Sequence, residues 1–137
     1  MGRKRPHIRS QITFLYYPAL EPPSWFYGEV LGLTLVEDQE WAKIYAVGAH
    51  AFLGIVAGEK GFHQPRDENA VLITLVVDDV FGWYRYLGEQ GVTLLTEVRE
   101  VAEIQVRGFF LKDPGGYTLE IQQFLDPQVA SVFGGRG

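Results

Sequence analysis

The chain has 137 residues, with 12 Lys and Arg against 17 Asp and Glu, a net charge of −5, and no cysteine. This length holds one compact domain or two small fused halves, and the lack of cysteine excludes disulfides, thiolate metal sites and cysteine nucleophiles. Apolar runs reach about six residues, as at Leu72–Val77. That is far short of the roughly 20 needed to cross a bilayer, so no membrane association is expected.

The charge is uneven. Residues 1–10 carry Arg3, Lys4, Arg5 and Arg9, which leaves 8 basic groups against 17 acidic ones on the remainder. Nucleic-acid domains carry a basic face on their folded part, so residues 1–10 are expected to be a disordered basic tail, with no nucleic-acid partner. No signal-type apolar stretch follows the basic start, and a cytoplasmic location is expected. Residues 126–137, which end in Gly-Gly-Arg-Gly, read as a second loose tail.

In chain order, Gln11–Tyr17 suits a strand that Pro18 closes. Glu21, Pro22 and Pro23 open a helix whose apolar stripe is Trp25, Phe26, Val30 and Leu31, and Gly32 ends it. Strands are expected at Leu33–Asp38, Trp41–Val47 and His50–Val56, the last two joined by Gly48-Ala49. Residues 57–70 are polar and rich in Gly and Pro, as in a linker. A strand at Val71–Val77 follows, then a helix over Asp79–Gln90 capped by Asp78. Strands at Val92–Val98, Ile104–Lys112 and Thr118–Phe124 complete the pattern.

The order βαβββ thus occurs twice, over 11–56 and 71–125, which points to an internal duplication. Gly32-Leu33-Thr34-Leu35 in the first half answers Gly91-Val92-Thr93-Leu94 in the second. The expected fold class is α+β, with two tandem βαβββ modules forming a curved mixed sheet around a central cup and helices on the outer face.

Strand alternation sorts the side chains into two sets. Leu15, Ile44, Leu53, Ile55, Ile73, Leu75, Val77, Val106, Leu119 and Ile121 form an aliphatic set expected to pack on the helices. The opposite set mixes aromatic with isolated polar groups: Phe14, Tyr16, Trp41, Lys43, Tyr45, Phe52, Thr74, Arg107, Phe109, Glu120 and Gln122. Aromatic walls with a few convergent polar groups are the make-up of a small-molecule pocket. Tyr16, Trp41, Tyr45, Phe52 and Phe109 would sandwich a flat or apolar body. Lys43 and Arg107 would meet a carboxylate or phosphate. Glu120 would accept from an amine or hydroxyl, or act as a base if burial raised its pKa. The alternative is a cup filled by its own side chains, with Glu120 paired to Lys43 or Arg107. Trp25, Phe26 and Tyr27, with Trp83, Tyr84 and Tyr86, are mostly expected in the core under the helices.

Phe26-Tyr27, Val30-Leu31-Gly32-Leu33 and the late run Phe110-Leu111-Lys112-Asp113-Pro114-Gly115-Gly116-Tyr117-Thr118-Leu119-Glu120 resemble the vicinal oxygen chelate superfamily, which joins glyoxalase I, bleomycin-resistance proteins and extradiol dioxygenases. The resemblance spans 11–125. Metal enzymes of that family hold a divalent ion through a His or Gln on the first strand, a Glu on the fourth, a His on the fifth and a Glu on the eighth. Here those positions fall on Ile12 (Gln11 if the register slips by one), Gly54, Leu72 and Glu120, and Glu120 alone matches. No cofactor is therefore expected, although a relocated divalent metal site from His50, His63 and Glu120 is an alternative. The resemblance implies a bleomycin-resistance-like protein that binds a small aromatic or anionic molecule as a homodimer, and the missing donors point to binding without metal. A metal-dependent lyase, isomerase or dioxygenase, or a dimeric accessory protein with a filled cup, are the other readings.

Overall fold

The computed structural model describes residues 4–134. Arg3 of the basic tail, and the last three residues of the C-terminal one, lie outside the described residues. The chain divides into two compact units, Met1–Arg66 and Asp67–Gly137, each built on a mixed sheet.

The first unit contains β1 (Gln11–Tyr17), α1 (Glu21–Ser24), β2 (Thr34–Asp38), β3 (Ala42–Val47) and β4 (Ala51–Ala57) in the sheet order β1-β4-β3-β2. Pro22 and Pro23 sit in the first turn of α1, where a missing N–H costs nothing. The expected single helix then widens into a π-helical turn over Trp25–Val30, with Leu31 N donating to Phe26 O at 2.9 Å. Gly32, at φ 71°, adopts the left-handed conformation that ends it. Phe26, Tyr27 and Val30 are buried, and the Tyr27 ring lies 6.5 Å from that of Tyr45 on β3.

The hairpin between β3 and β4 closes on Val47 and Ala51. Its loop therefore has three residues, Gly48, Ala49 and His50, where a two-residue Gly48-Ala49 turn was expected. The segment after β4 also differs from a linker. Gly58 N donates to Tyr17 O at 2.9 Å, and Gln64 Nε2 donates to Gly58 O at 3.0 Å. A Cβ on Gly61 would lie only 2.7 Å from Tyr16 and Val56. Glycine is what lets this turn fold back onto the sheet.

The second unit contains β5 (Leu72–Val76), α2 (Val80–Glu89), β6 (Thr93–Leu94), β7 (Arg99–Val101), β8 (Val106–Lys112), β9 (Thr118–Phe124) and α3 (Pro127–Val132). Its order β5-β9-β8-β6 repeats that of the first unit, and β7 pairs with β8 in addition. The pairs of β1 with β4 and of β5 with β9 are parallel. The duplication read from the sequence is thus present in topology and in register.

Three local expectations change. Asp79, not Asp78, caps α2, its carboxylate accepting from Gly82 N at 3.0 Å. The seven-residue strand expected at Val92–Val98 shrinks to β6, because the Thr96 hydroxyl takes the Phe110 N–H at 3.0 Å and interrupts the backbone ladder. Asp126 caps α3 by accepting from Gln128 N at 2.9 Å, so residues 127–132 are helical where a loose tail was expected. The Asp113–Gly116 turn behaves as its sequence suggests: Asp113 Oδ1 accepts from Gly115 N and Tyr117 N, each at 2.9 Å.

Candidate functional site

Cross-strand partners share a sheet face, so the register assigns every side chain to a side. In the first unit Phe14 pairs with Gly54, Tyr16 with Val56, Ile12 with Phe52, and Gly54 with Ile44. Tyr45 pairs with Leu53 and Lys43 with Ile55. Tyr45 and Lys43 therefore lie on the face of Leu15, Leu53 and Ile55, and Ile44 lies on the face of Phe14. This corrects the sequence reading of β3 by one residue. Tyr45 is a core residue, 3% exposed, with its ring against Gly28, and burial pushes its hydroxyl pKa up.

The second unit carries the same correction on β8. Phe109 pairs with Ile121 and Arg107 with Gln123, whereas Gly108 and Phe110 flank Gln122 and Glu120. Phe109 is fully buried, edge-on to Tyr84 of α2 with centroids 5.0 Å apart. The Arg107 guanidinium lies 5.1 Å over the Phe81 ring and pairs with Glu100 at 2.8 Å. Arg107 and Phe109 thus turn to the α2 side, and Val106 takes the face of Glu120. The pairing of Glu120 with Arg107 that the filled-cup alternative offered does not form, since Arg107 pairs with Glu100.

Two groups of predicted residues do come together. In the first unit Tyr16 and Trp41 line a hollow of about 180 Å³ with Phe14 and Phe62, and the polar residues Gln39 and Lys60 belong to its lining. Ala42, Val56 and Gly61 complete its lining. Phe14 and Trp41 are each 41% exposed and Phe62, at the rim, 92%, so the hollow opens to solvent. Lys60 is the one cation in the lining. Phe52, on the same sheet face, is half-buried and outside the hollow. Alternation pointed to Phe14 beside Tyr16, but nothing periodic marks Lys60 or Phe62, because a turn that folds back leaves no repeat in the sequence.

In the second unit Thr74, Glu120 and Gln122 share one face. Thr74 Oγ1 donates to Glu120 Oε1 at 2.8 Å, and Gln122 Nε2 donates to Glu120 Oε2 at 3.4 Å. Neither histidine of the alternative metal site joins another ligand. His50 is exposed in its hairpin, and His63 packs edge-on to Tyr16 and Phe62, with centroids 5.4 and 5.0 Å away. Among the described residues no three His, Cys, Asp or Glu side chains gather as a metal would require.

A two-module βαβββ chain with this strand order defines the glyoxalase-type fold, and the comparisons agree. The sequence model of the Glyoxalase/Bleomycin resistance protein/Dioxygenase superfamily matches residues 12–121, and the chain belongs to that superfamily. It is similar to a glyoxalase/bleomycin resistance protein/dioxygenase from Nocardioides, with TM-score 0.72 and 16% identity over 91% of this chain and 87% of that one. It is also similar to a lactoylglutathione lyase from Agrobacterium tumefaciens, with TM-score 0.69 and 16% identity over 86% and 95%. An integron cassette protein from V. cholerae superposes with TM-score 0.66 and 18% identity over 90% and 99%. Among curated proteins none matches. Identities this low establish a common fold, and a fold of this kind does not name a reaction.

The metal that the fold family implies finds a poor donor set here. Ile12, Gly54 and Leu72 carry no donor atoms, and the Phe14 ring occupies the space into which a side chain on Gly54 would extend. Glu120 remains as a lone carboxylate, whereas divalent ions need several converging N or O donors. The residues present do not fit the metal.

Proposed function

We propose that this chain is a binding protein for a small, flat, anionic aromatic molecule, held without a metal in the hollow beside Trp41. The observation that carries the reading is the aromatic wall of Phe14, Tyr16 and Trp41, with the exposed Phe62 at its rim and Lys60 as the single cation in its lining. The hollow is smaller than the about 300–1,000 Å³ that drug-sized ligands fill, which favours a single-ring compound. Its rings give apolar area and stacking, and Lys60 gives an anionic substituent its counter-charge. Metal independence is supported by the donorless Ile12, Gly54 and Leu72. A cytoplasmic homodimer belongs to the same reading.

Calorimetric titration of benzoate, 4-hydroxybenzoate and phenyl phosphate, with neutral benzamide beside them, tests it. At least one anion should bind saturably to chelator-treated protein and lose affinity in Trp41→Ala. Binding that appears only after metal is restored, or no binding by any aromatic anion, would sink the proposal. A monomeric mass in sedimentation would remove the dimer from it.

A further inference from the structure

Glu120 is a half-buried carboxylate whose partners among the described residues are neutral: the Thr74 hydroxyl and the Gln122 amide. Arg107, one of the two cations in the filled-cup alternative, is engaged by Glu100 and Phe81 on the α2 side of the sheet. Two neutral hydrogen bonds orient the carboxylate without cancelling its charge, and a partly desolvated anion gains most from a cation that arrives to meet it.

The surroundings say which cation. Phe110 stands directly across from Glu120 on the same face, and an aromatic residue next to a carboxylate suits an organic ammonium group. Gly108, packed against the β9 backbone, puts no side chain over the carboxylate: a Cβ there would lie 3.6 Å from Glu120 Oε2 and 2.8 Å from Ile121 O. Thr74 and Gln122 each direct one proton to the carboxylate, and Leu72 and Val76 take the other β5 positions on this face. A metal ion would find one charged donor, whereas an ammonium group needs only one. We infer that Glu120 is the receptor for the ammonium group of a small organic amine, seated beside Gly108 and against Phe110. This inference rests on residues other than those that line the hollow beside Trp41.

The test is a titration of ¹⁵N-labelled protein with benzylammonium, followed by amide shifts, with benzyl alcohol as the neutral analogue. Saturable shifts at Thr74, Gly108 and Glu120 are expected with the ammonium and not with the alcohol. Glu120→Gln, nearly the same shape without the charge, should weaken binding at least about tenfold, the scale of one charge-assisted hydrogen bond. Should that variant fail to fold, the comparison of ammonium with alcohol on the wild-type chain still decides. Equal binding of the alcohol, unchanged affinity in Glu120→Gln, or no shift at these residues overturns the inference. So does displacement of the ammonium from Glu120 by Mg²⁺ or Zn²⁺ at equal concentration. Failure here leaves benzoate binding at Trp41 untouched, so the two proposals fall separately.

Discussion

The phenyl ring of Phe14 lies over Gly54, its paired residue on the neighbouring parallel strand, and fills the place where a side chain on Gly54 would begin. The equivalent pair in the second unit is Thr74 and Glu120, where a hydroxyl donates to the carboxylate at 2.8 Å. One duplicated position has therefore become a ring over a glycine, and the other a carboxylate held by a hydroxyl.

Gly54→Ala should destabilise the protein, because the added methyl meets the Phe14 ring well inside contact distance. Overpacking of this kind costs about 1–3 kcal/mol. Phe14 is partly exposed and its ring can swing outward, which places the loss near about 1 kcal/mol. Urea denaturation of Gly54→Ala, Phe14→Ala and the double variant should show coupling, with most of the Gly54→Ala cost gone once the ring is removed.

The turning of β8 predicts unequal costs for two adjacent odd positions. Phe109→Ala should lose about 3–5 kcal/mol, as a buried aromatic does. Arg107→Ala should lose about 1–2 kcal/mol at most, since its pair with Glu100 is partly exposed and its contact with Phe81 is a single cation–π interaction. Arg107→Ala should also leave the affinity for aromatic anions unchanged, which calorimetry would check.

Tyr45 makes stability sensitive to alkali. Burial, with the carboxylates of Asp38 and Glu29 adding to it, raises its pKa above the ordinary value of about 10. Above about pH 10 the unfolded chain loses this proton while the folded one keeps it, so folding stability falls as pH rises towards the folded-state pKa. Below that range Tyr45 contributes no pH dependence. Chemical denaturation across pH 8–11 (roughly the window set by the tyrosine value) should therefore show a smaller alkaline decline in Tyr45→Phe than in the wild type.

At the hollow, size should matter more than charge. Trp41→Ala is expected to cost an aromatic anion about 1.5–3 kcal/mol of binding, the worth of a large apolar contact. Lys60 is exposed, so Lys60→Ala should cost about 1 kcal/mol or less, and its effect should fade in high salt. A Lys60→Ala loss larger than that of Trp41→Ala would contradict this arrangement.

Much of the molecule is legible from residue order alone. Pro18, Pro22, Gly32 and Asp113-Pro114-Gly115-Gly116 mark where elements start and stop because their backbone preferences are local. The answering runs at Gly32 and Gly91 reveal the duplication, and a single parity places Thr74, Glu120 and Gln122 on one face. The donorless Ile12, Gly54 and Leu72 are likewise a property of composition at known positions. What the tertiary structure decided is the phase of one strand against the next. Alternation divides Lys43 and Tyr45 from Ile44, and Arg107 and Phe109 from Gly108, but each strand can present either set to the core, and one residue of register exchanges them. Hydrogen bonding to β4 and β9 made that choice, sending Tyr45, Arg107 and Phe109 to the helix side and turning Arg107 away from Glu120. The return of Lys60 and Phe62 to Tyr16 was equally hidden, because it depends on the space that Gly61 leaves against Val56 and not on any periodic pattern.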